Sequence, residues 1–180
     1  MKVSLIAALT LDGFIARHSS EFASWTSKED KRRFVSKTKT AGVIILGSKT
    51  FDTFPKPLPD RLHIIHTRDV SEYTKKILGK FSWDTLPENI LITSKEPEDV
   101  LEDLEKRGFS EVFICGGSQI YSLYLNANLI NYLYLTIEPV LFGSGISLFN
   151  SECDFKLRLI SEERTELGTL LLEHEILQNS

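Results

Sequence analysis

The chain has 180 residues, a formal charge of −4, and 42% hydrophobic against 26% charged residues. That length suits one domain burying roughly two thirds of its unfolded surface. The charge balance excludes a global positive field for nucleic acid or an anionic membrane, so any anionic ligand must be met by local cations. No apolar run reaches membrane-spanning length and Met1 to Leu11 lacks the flanks of a secretory signal, which makes the cytoplasm the expected compartment. Cys115 and Cys153 match no metal-ligand spacing, so no metal is expected, and Cys115 in its apolar run reads as a buried thiol.

In chain order, strands are expected at Val3–Leu9, Ala41–Leu46, Leu62–His66, Ile90–Thr93, Glu111–Cys115 and Tyr132–Ile137. Phe155–Glu163 and Thr169–Leu177 follow as a pair around a polar turn at Gly168. Helices are expected near Lys28–Lys39, Lys49–Phe54, Pro97–Arg107 and Gly117–Leu125. The third opens with Ser94 or Glu96 as cap and Pro97 in first position, and closes with Lys106, Arg107 and Gly108. Continuous apolar runs such as Gly42 to Leu46 need burial on both faces, hence a parallel sheet covered by helices. The last two strands are too close for a crossover and should be antiparallel. The expected fold is a single-domain α/β structure: a mostly parallel, roughly eight-stranded twisted sheet with helices on both faces and an antiparallel C-terminal strand. Ligands should lie at the carboxyl ends of its strands.

Three of those ends carry suggestive residues. Cys115-Gly116-Gly117-Ser118-Gln119-Ile120-Tyr121 puts two glycines between a buried strand and a helix, where backbone amides can approach a pyrophosphate or merely turn tightly. Gly47-Ser48-Lys49-Thr50 repeats the arrangement with a cation and hydroxyls. His66-Thr67-Arg68 offers a guanidinium fork for a phosphate monoester, although alone it reads equally as a solvated loop. Together they point to a dinucleotide site without the Gly-x-Gly-x-x-Gly fingerprint. Asp30 and Phe34 stand four apart on one helix face after Trp25. They pair a carboxylate with an aromatic, either as a grip for an amino-pyrimidine or as a dipole-complementing first turn over a core ring. Pro55, Pro57 and Pro59 stiffen a loop ending in Arg61, either a surface turn or a carboxylate-binding arginine.

In order and spacing along nearly the whole chain, these residues resemble the dihydrofolate reductase family. The resemblance implies NADPH as cofactor and hydride transfer to C6 of 7,8-dihydrofolate with N5 protonated. It implies a small-molecule pterin or folate partner in a monomer or homodimer. Asp30 then corresponds to the single active-site carboxylate, Thr136 to the threonine bonded to it, Trp25 to the tryptophan of the mobile loop and Tyr121 to the tyrosine beside the nicotinamide. The substrate would meet Ile6, Ala8, Phe34, Phe54, Leu58 and Cys115, with Arg61 on the glutamate tail. The cofactor would meet Ala8, Ile15, Gly47, Ser48, Lys49 and Thr50, then Thr67 and Arg68, and finally Gly116, Gly117, Ser118, Gln119, Ile120 and Tyr121. Ala16 to Ser24 would form the lid.

Two departures stand out: Lys31 replaces an apolar contact, and Ser48 replaces an arginine at the 2′-phosphate. Leu11 to Ala16 and Phe142 to Phe149 look more like the bacterial riboflavin-pathway reductases, which use NADPH on a ribosylaminopyrimidine. That activity is the alternative. A non-catalytic nucleotide or pterin binder is a third, disfavoured by the joint presence of Trp25, Asp30, Tyr121 and Thr136.

Overall fold

A computed structural model describes residues 1–177. Its strands are β1 (Lys2–Thr10), β2 (Phe14–Ala16), β3 (Val43–Gly47), β4 (Leu62–His66), β5 (Ile90–Thr93), β6 (Glu111–Ile114), β7 (Tyr132–Glu138), β8 (Ile146–Ser147), β9 (Lys156–Arg164) and β10 (Leu170–Leu177). Five helices intervene: α1 (Lys28–Ala41), α2 (Ser48–Asp52), α3 (Val70–Phe81), α4 (Pro97–Lys106) and α5 (Ser118–Asn126).

Period-2 alternation of apolar residues builds a core on each face of the sheet. On β3, Val43 and Ile45 join one cluster, while Ile44 and Leu46 join the other. The first cluster takes Val100 and Leu104 of α4 with Tyr124 and Leu125 of α5. The second takes Phe51 of α2 with Tyr73 and Ile77 of α3, and Phe34 of α1 packs against it. Leu5, Ile44, Ile45, Leu46 and Ile114 are fully excluded from solvent. Each such side chain is worth about 1.5–3 kcal/mol relative to exposure.

The eight strands run in the order β5-β4-β3-β6-β1-β7-β10-β9. All pairs from β5 to β7 are parallel, and β10 runs against both of its neighbours. Insertion of β6 between β3 and β1 brings Gly47 and Gly116 together, and the Gly47 amide donates to the Gly116 carbonyl at 2.7 Å.

The sequence reading omitted three elements. Helix α3 begins at the Asp69 cap, whose side chain accepts from the Glu72 amide. Its Tyr73 and Ile77 have helical spacing, although Gly79 breaks the pattern. The short strands β2 and β8 pair with each other and carry too few residues to show a period. Helix α2 also ends earlier than expected, at Asp52, because the chain turns toward the proline-rich loop. Among the described residues, no helix is long and apolar enough to cross a membrane.

Candidate active site

A cleft of about 1740 Å³ opens along the carboxyl ends of the parallel strands. This exceeds the usual volume of a single small-ligand pocket, roughly 300–1,000 Å³, and suits two ligands end to end. Every site residue named from the sequence lines it except Thr136 and Arg61.

At one end stands Asp30. Ser27 caps α1 by accepting from the Asp30 amide at 3.2 Å, which turns the Asp30 side chain toward the strand ends. Burial pushes its carboxyl above the ordinary value of 3.8; the Thr136 and Thr26 hydroxyls hold it down, Glu138 adds to the rise and Arg33 opposes it. Thr136 therefore lies behind the carboxyl, buried and off the cleft. Phe34, Phe54 and Leu58 give this end an apolar wall, with Lys31 and Lys56 also lining the cleft. Trp25 meets Phe142 edge-on at 5.1 Å between ring centroids, and the Arg17 guanidinium lies over the opposite ring, 3.8 Å from its centroid. Asp12 holds that partner loop by accepting from the Phe142 and Gly143 amides at 3.1 and 2.7 Å. The candidate lid is thereby tied, through Arg17 and Trp25, to a Phe142 whose amide Asp12 holds from 130 residues away in sequence.

At the centre, the Gly116–Gly117 peptide is cis. Gly116 has φ +104°, and a Cβ there would sit 3.1 Å from the Tyr121 hydroxyl oxygen. A Cβ on Gly117 would sit 3.2 Å from Thr50 Oγ1. Glycine is thus required for close approach. Tyr121 donates to the Ile6 carbonyl at 2.7 Å, and burial pushes its hydroxyl pKa well up, so it stays neutral and fixed. No side chain caps α5, and Ser118 Oγ is buried without a partner among the described residues. A free first turn with an orphaned hydroxyl fits a phosphate-bearing ligand.

At the far end, Lys49, Thr67 and Arg68 line the cleft with Ser94, Lys95 and Glu96, three residues that the sequence reading did not assign to the site. His66 also lines it and was read only as a strand end. Its Nε2 lies 2.8 Å from the Tyr124 hydroxyl, and burial pushes its pKa down to about 4.

Arg61 departs from expectation. Instead of facing the mouth of the cleft, it is 4% exposed. Its Nε donates to the Pro59 carbonyl at 3.0 Å and its Nη1 to Thr38 Oγ1 at 2.8 Å. The stiff loop folds the side chain back under itself. Glu138, which bonds the start of α1, escaped notice because its partners are remote in sequence. Among the described residues, no group of three or more His, Cys, Asp or Glu side chains is placed to hold a metal.

The chain is 31% identical to a dihydrofolate reductase of Candida albicans over 123 residues, covering 62% of this chain and 56% of that enzyme. Its fold matches a Thermotoga maritima diaminohydroxyphosphoribosylaminopyrimidine deaminase/5-amino-6-(5-phosphoribosylamino)uracil reductase with a TM-score of 0.77. Identity there is 18%, over 98% of this chain and 56% of that one. Acinetobacter baumannii RibD gives a TM-score of 0.74 at 20% identity, over 98% of this chain and 58% of that one. The chain thus spans little more than half the length of each, and the structural likenesses establish the fold. A sequence profile of the RibD C-terminal domain matches residues 1–171, and the chain belongs to that family, a reductase family with the dihydrofolate reductase-like fold.

Proposed function

We propose that the chain is an NADPH-dependent reductase of 7,8-dihydrofolate, forming tetrahydrofolate. The observation that carries this reading is the Asp30 carboxyl: beside the Thr136 and Thr26 hydroxyls, raised by burial, and opening into the same cleft as Phe34. A carboxylate so placed accepts from the amino group and N3 of a pterin while the phenyl ring packs on its face.

Gly116 and Gly117 would seat the nicotinamide of NADPH, which when bound would supply the hydride for C6 of the substrate. The free amides at the start of α5 and the Ser118 hydroxyl would hold its pyrophosphate, and Lys49 with Arg68 would hold the 2′-phosphate. Tyr121, locked on the Ile6 carbonyl, and the side-chain-free Gly116 beside it would orient the nicotinamide. Asp30 grips the far edge of the pterin from N5, so the proton for N5 comes from water at the Trp25 end. Residues from Ala16 to Ser24, several of which line the cleft, close over the reacting atoms.

The burial of Arg61 favours a second reading, reduction of a ribosylaminopyrimidine phosphate. Without a guanidinium at the mouth, Lys31 and Lys56 are the cations beside the substrate end, and they suit a phosphate as well as a carboxylate. The deciding experiment follows NADPH oxidation with dihydrofolate and, separately, with the deaminated ribosylaminopyrimidine phosphate. Turnover of dihydrofolate is expected; turnover of the ribosylaminopyrimidine alone would replace the first reading with the second.

A further inference from the structure

Helix α1 lies along β7 so that residues spaced by three on the helix read down the strand in reverse. At its start, the Ser27 amide donates to Glu138 Oε1 at 2.7 Å. One turn on, Asp30 meets the Thr136 hydroxyl. One further turn on, Arg33 donates from Nη1 to the Leu135 carbonyl at 3.0 Å and from Nη2 to the Leu172 carbonyl of β10 at 2.8 Å. The active-site carboxyl is therefore flanked along the helix by two ties to the sheet.

Both ties use charged side chains withdrawn from solvent. Glu138 is 3% exposed, and its second oxygen accepts from Thr169 Oγ1 at 2.8 Å, a residue that is itself 1% exposed. No cation within ion-pairing distance neutralises Glu138 among the described residues. Arg33 makes one long ion pair, 3.4 Å to Glu173. Holding a helix to a sheet needs no charge; a neutral amide or an apolar contact would serve with less desolvation. The charges need another explanation.

We propose that Glu138 and Arg33 are paired positioning residues that bolt α1 to β7 on either side of Asp30, one placing a negative and the other a positive charge beside its carboxyl. Glu138 opposes ionisation of Asp30, and Arg33 favours it. The other groups facing Asp30 are the Thr136 and Thr26 hydroxyls and the Tyr121 hydroxyl, neutral across the working pH range. Lys31, next along the helix, points into the same cleft. Burial and the two threonine hydroxyls act on Asp30 most strongly; Glu138 and Arg33 bias its acidity in opposite directions without touching it. Naming Asp30 as the substrate-gripping group rests on the reductase reading; the electrostatic pairing does not.

The test is a carbon-13 NMR titration of the Asp30 carboxyl in the full chain, with Asp30→Asn identifying the signal. Glu138→Gln keeps the shape and an acceptor for the Ser27 amide while removing the charge, and its amide nitrogen donates to the Thr169 hydroxyl where the carboxylate accepted from it. Arg33→Met keeps the packing stem and removes the opposite charge. The titration midpoint should fall in Glu138→Gln and rise in Arg33→Met, each by roughly 0.5 of a pH unit or more. The acid limb of the pH–rate profile should move in the same two directions. Shifts of one sign in both variants, or none, overturn the pairing and leave two structural ties. If one variant does not fold, the sign of the other's shift decides. Opposite shifts with no dihydrofolate turnover in any sample would keep the pairing and sink the substrate reading instead.

Discussion

Arg61 donates to the Thr38 hydroxyl at 2.8 Å, and Thr38 donates in turn to the carbonyl of Phe34 at 2.6 Å. A guanidinium that the sequence places at the mouth of the cleft instead supports, from beneath, the helix that carries Phe34. Thr38 is fully buried, so removing Arg61 takes a charged donor from its hydroxyl and leaves it only the bond to Phe34.

Arg61→Met should therefore lower stability by about 1.5–3 kcal/mol, the worth of a hydrogen bond from a charged donor. Urea denaturation gives this directly. The KM for dihydrofolate and for a tail-less dihydropterin should change by the same factor. A tail-specific rise of ~10-fold in KM, with stability intact, would restore Arg61 as a ligand for the glutamyl carboxylate.

Asp30→Asn should reduce turnover at neutral pH by at least ~100-fold, the scale of a lost acid–base role. Its effect on stability has the opposite sense. The folded carboxyl titrates above its ordinary value, so the folded chain binds that proton more tightly than the unfolded chain. Stability is then greatest below the unfolded value and falls as pH rises through the folded one. The Asn variant should melt higher than the parent at neutral pH, with the difference closing in acid. A calorimetric series across pH checks both the sign and the closure.

Arg68→Ala should erode the preference for NADPH over NADH at least ~10-fold. The loss of one charge-assisted contact is worth about 1.5–3 kcal/mol. Fluorescence titration of each cofactor gives the two Kd values. Equal weakening of both would mean that Arg68 does not meet the 2′-phosphate.

His66 should make the protein acid-sensitive. Its pKa in the folded chain is about 4 against the usual 6.5, so the unfolded chain takes up this proton first as pH falls. The associated stability is present above pH 6.5 and is lost between there and pH 4, on the order of 3 kcal/mol in all. His66→Phe should flatten the dependence of the urea midpoint on pH across that window, whatever it costs elsewhere by stranding the Tyr124 hydroxyl. An unchanged slope would locate the acid sensitivity in another group, with His63, also pushed down by burial, the first to examine.

The amino-acid sequence alone determined the features carried by short-range pattern. Continuous apolar runs specified the parallel strands because each strand buries both faces. Glycines at the strand ends marked the close approaches at Gly47, where a Cβ would crowd Ile120, and at Gly116, where both the space and a φ of +104° favour glycine. The i and i+4 spacing of Asp30 and Phe34 brought both to one cleft because helical geometry makes it so. Helix α3 was within reach of the same reasoning through Asp69, Glu72, Tyr73 and Ile77.

Only the tertiary structure decided what depends on contacts between remote segments. Arg61 looks the same in sequence whether it faces the cleft or Thr38, because a long side chain turns on packing and not on its neighbours in the chain. Glu138 sits 111 residues from Ser27, and Asp12 sits 131 from Gly143. Neither pairing leaves a local trace. Closing such long loops costs entropy that only the assembled sheet offsets. The chemistry of Asp30 depends on the same long-range assembly: its spacing was legible, but its acidity answers to the burial that the folded sheet imposes, then to Thr136 and Thr26, with Glu138 and Arg33 biasing it in opposite directions.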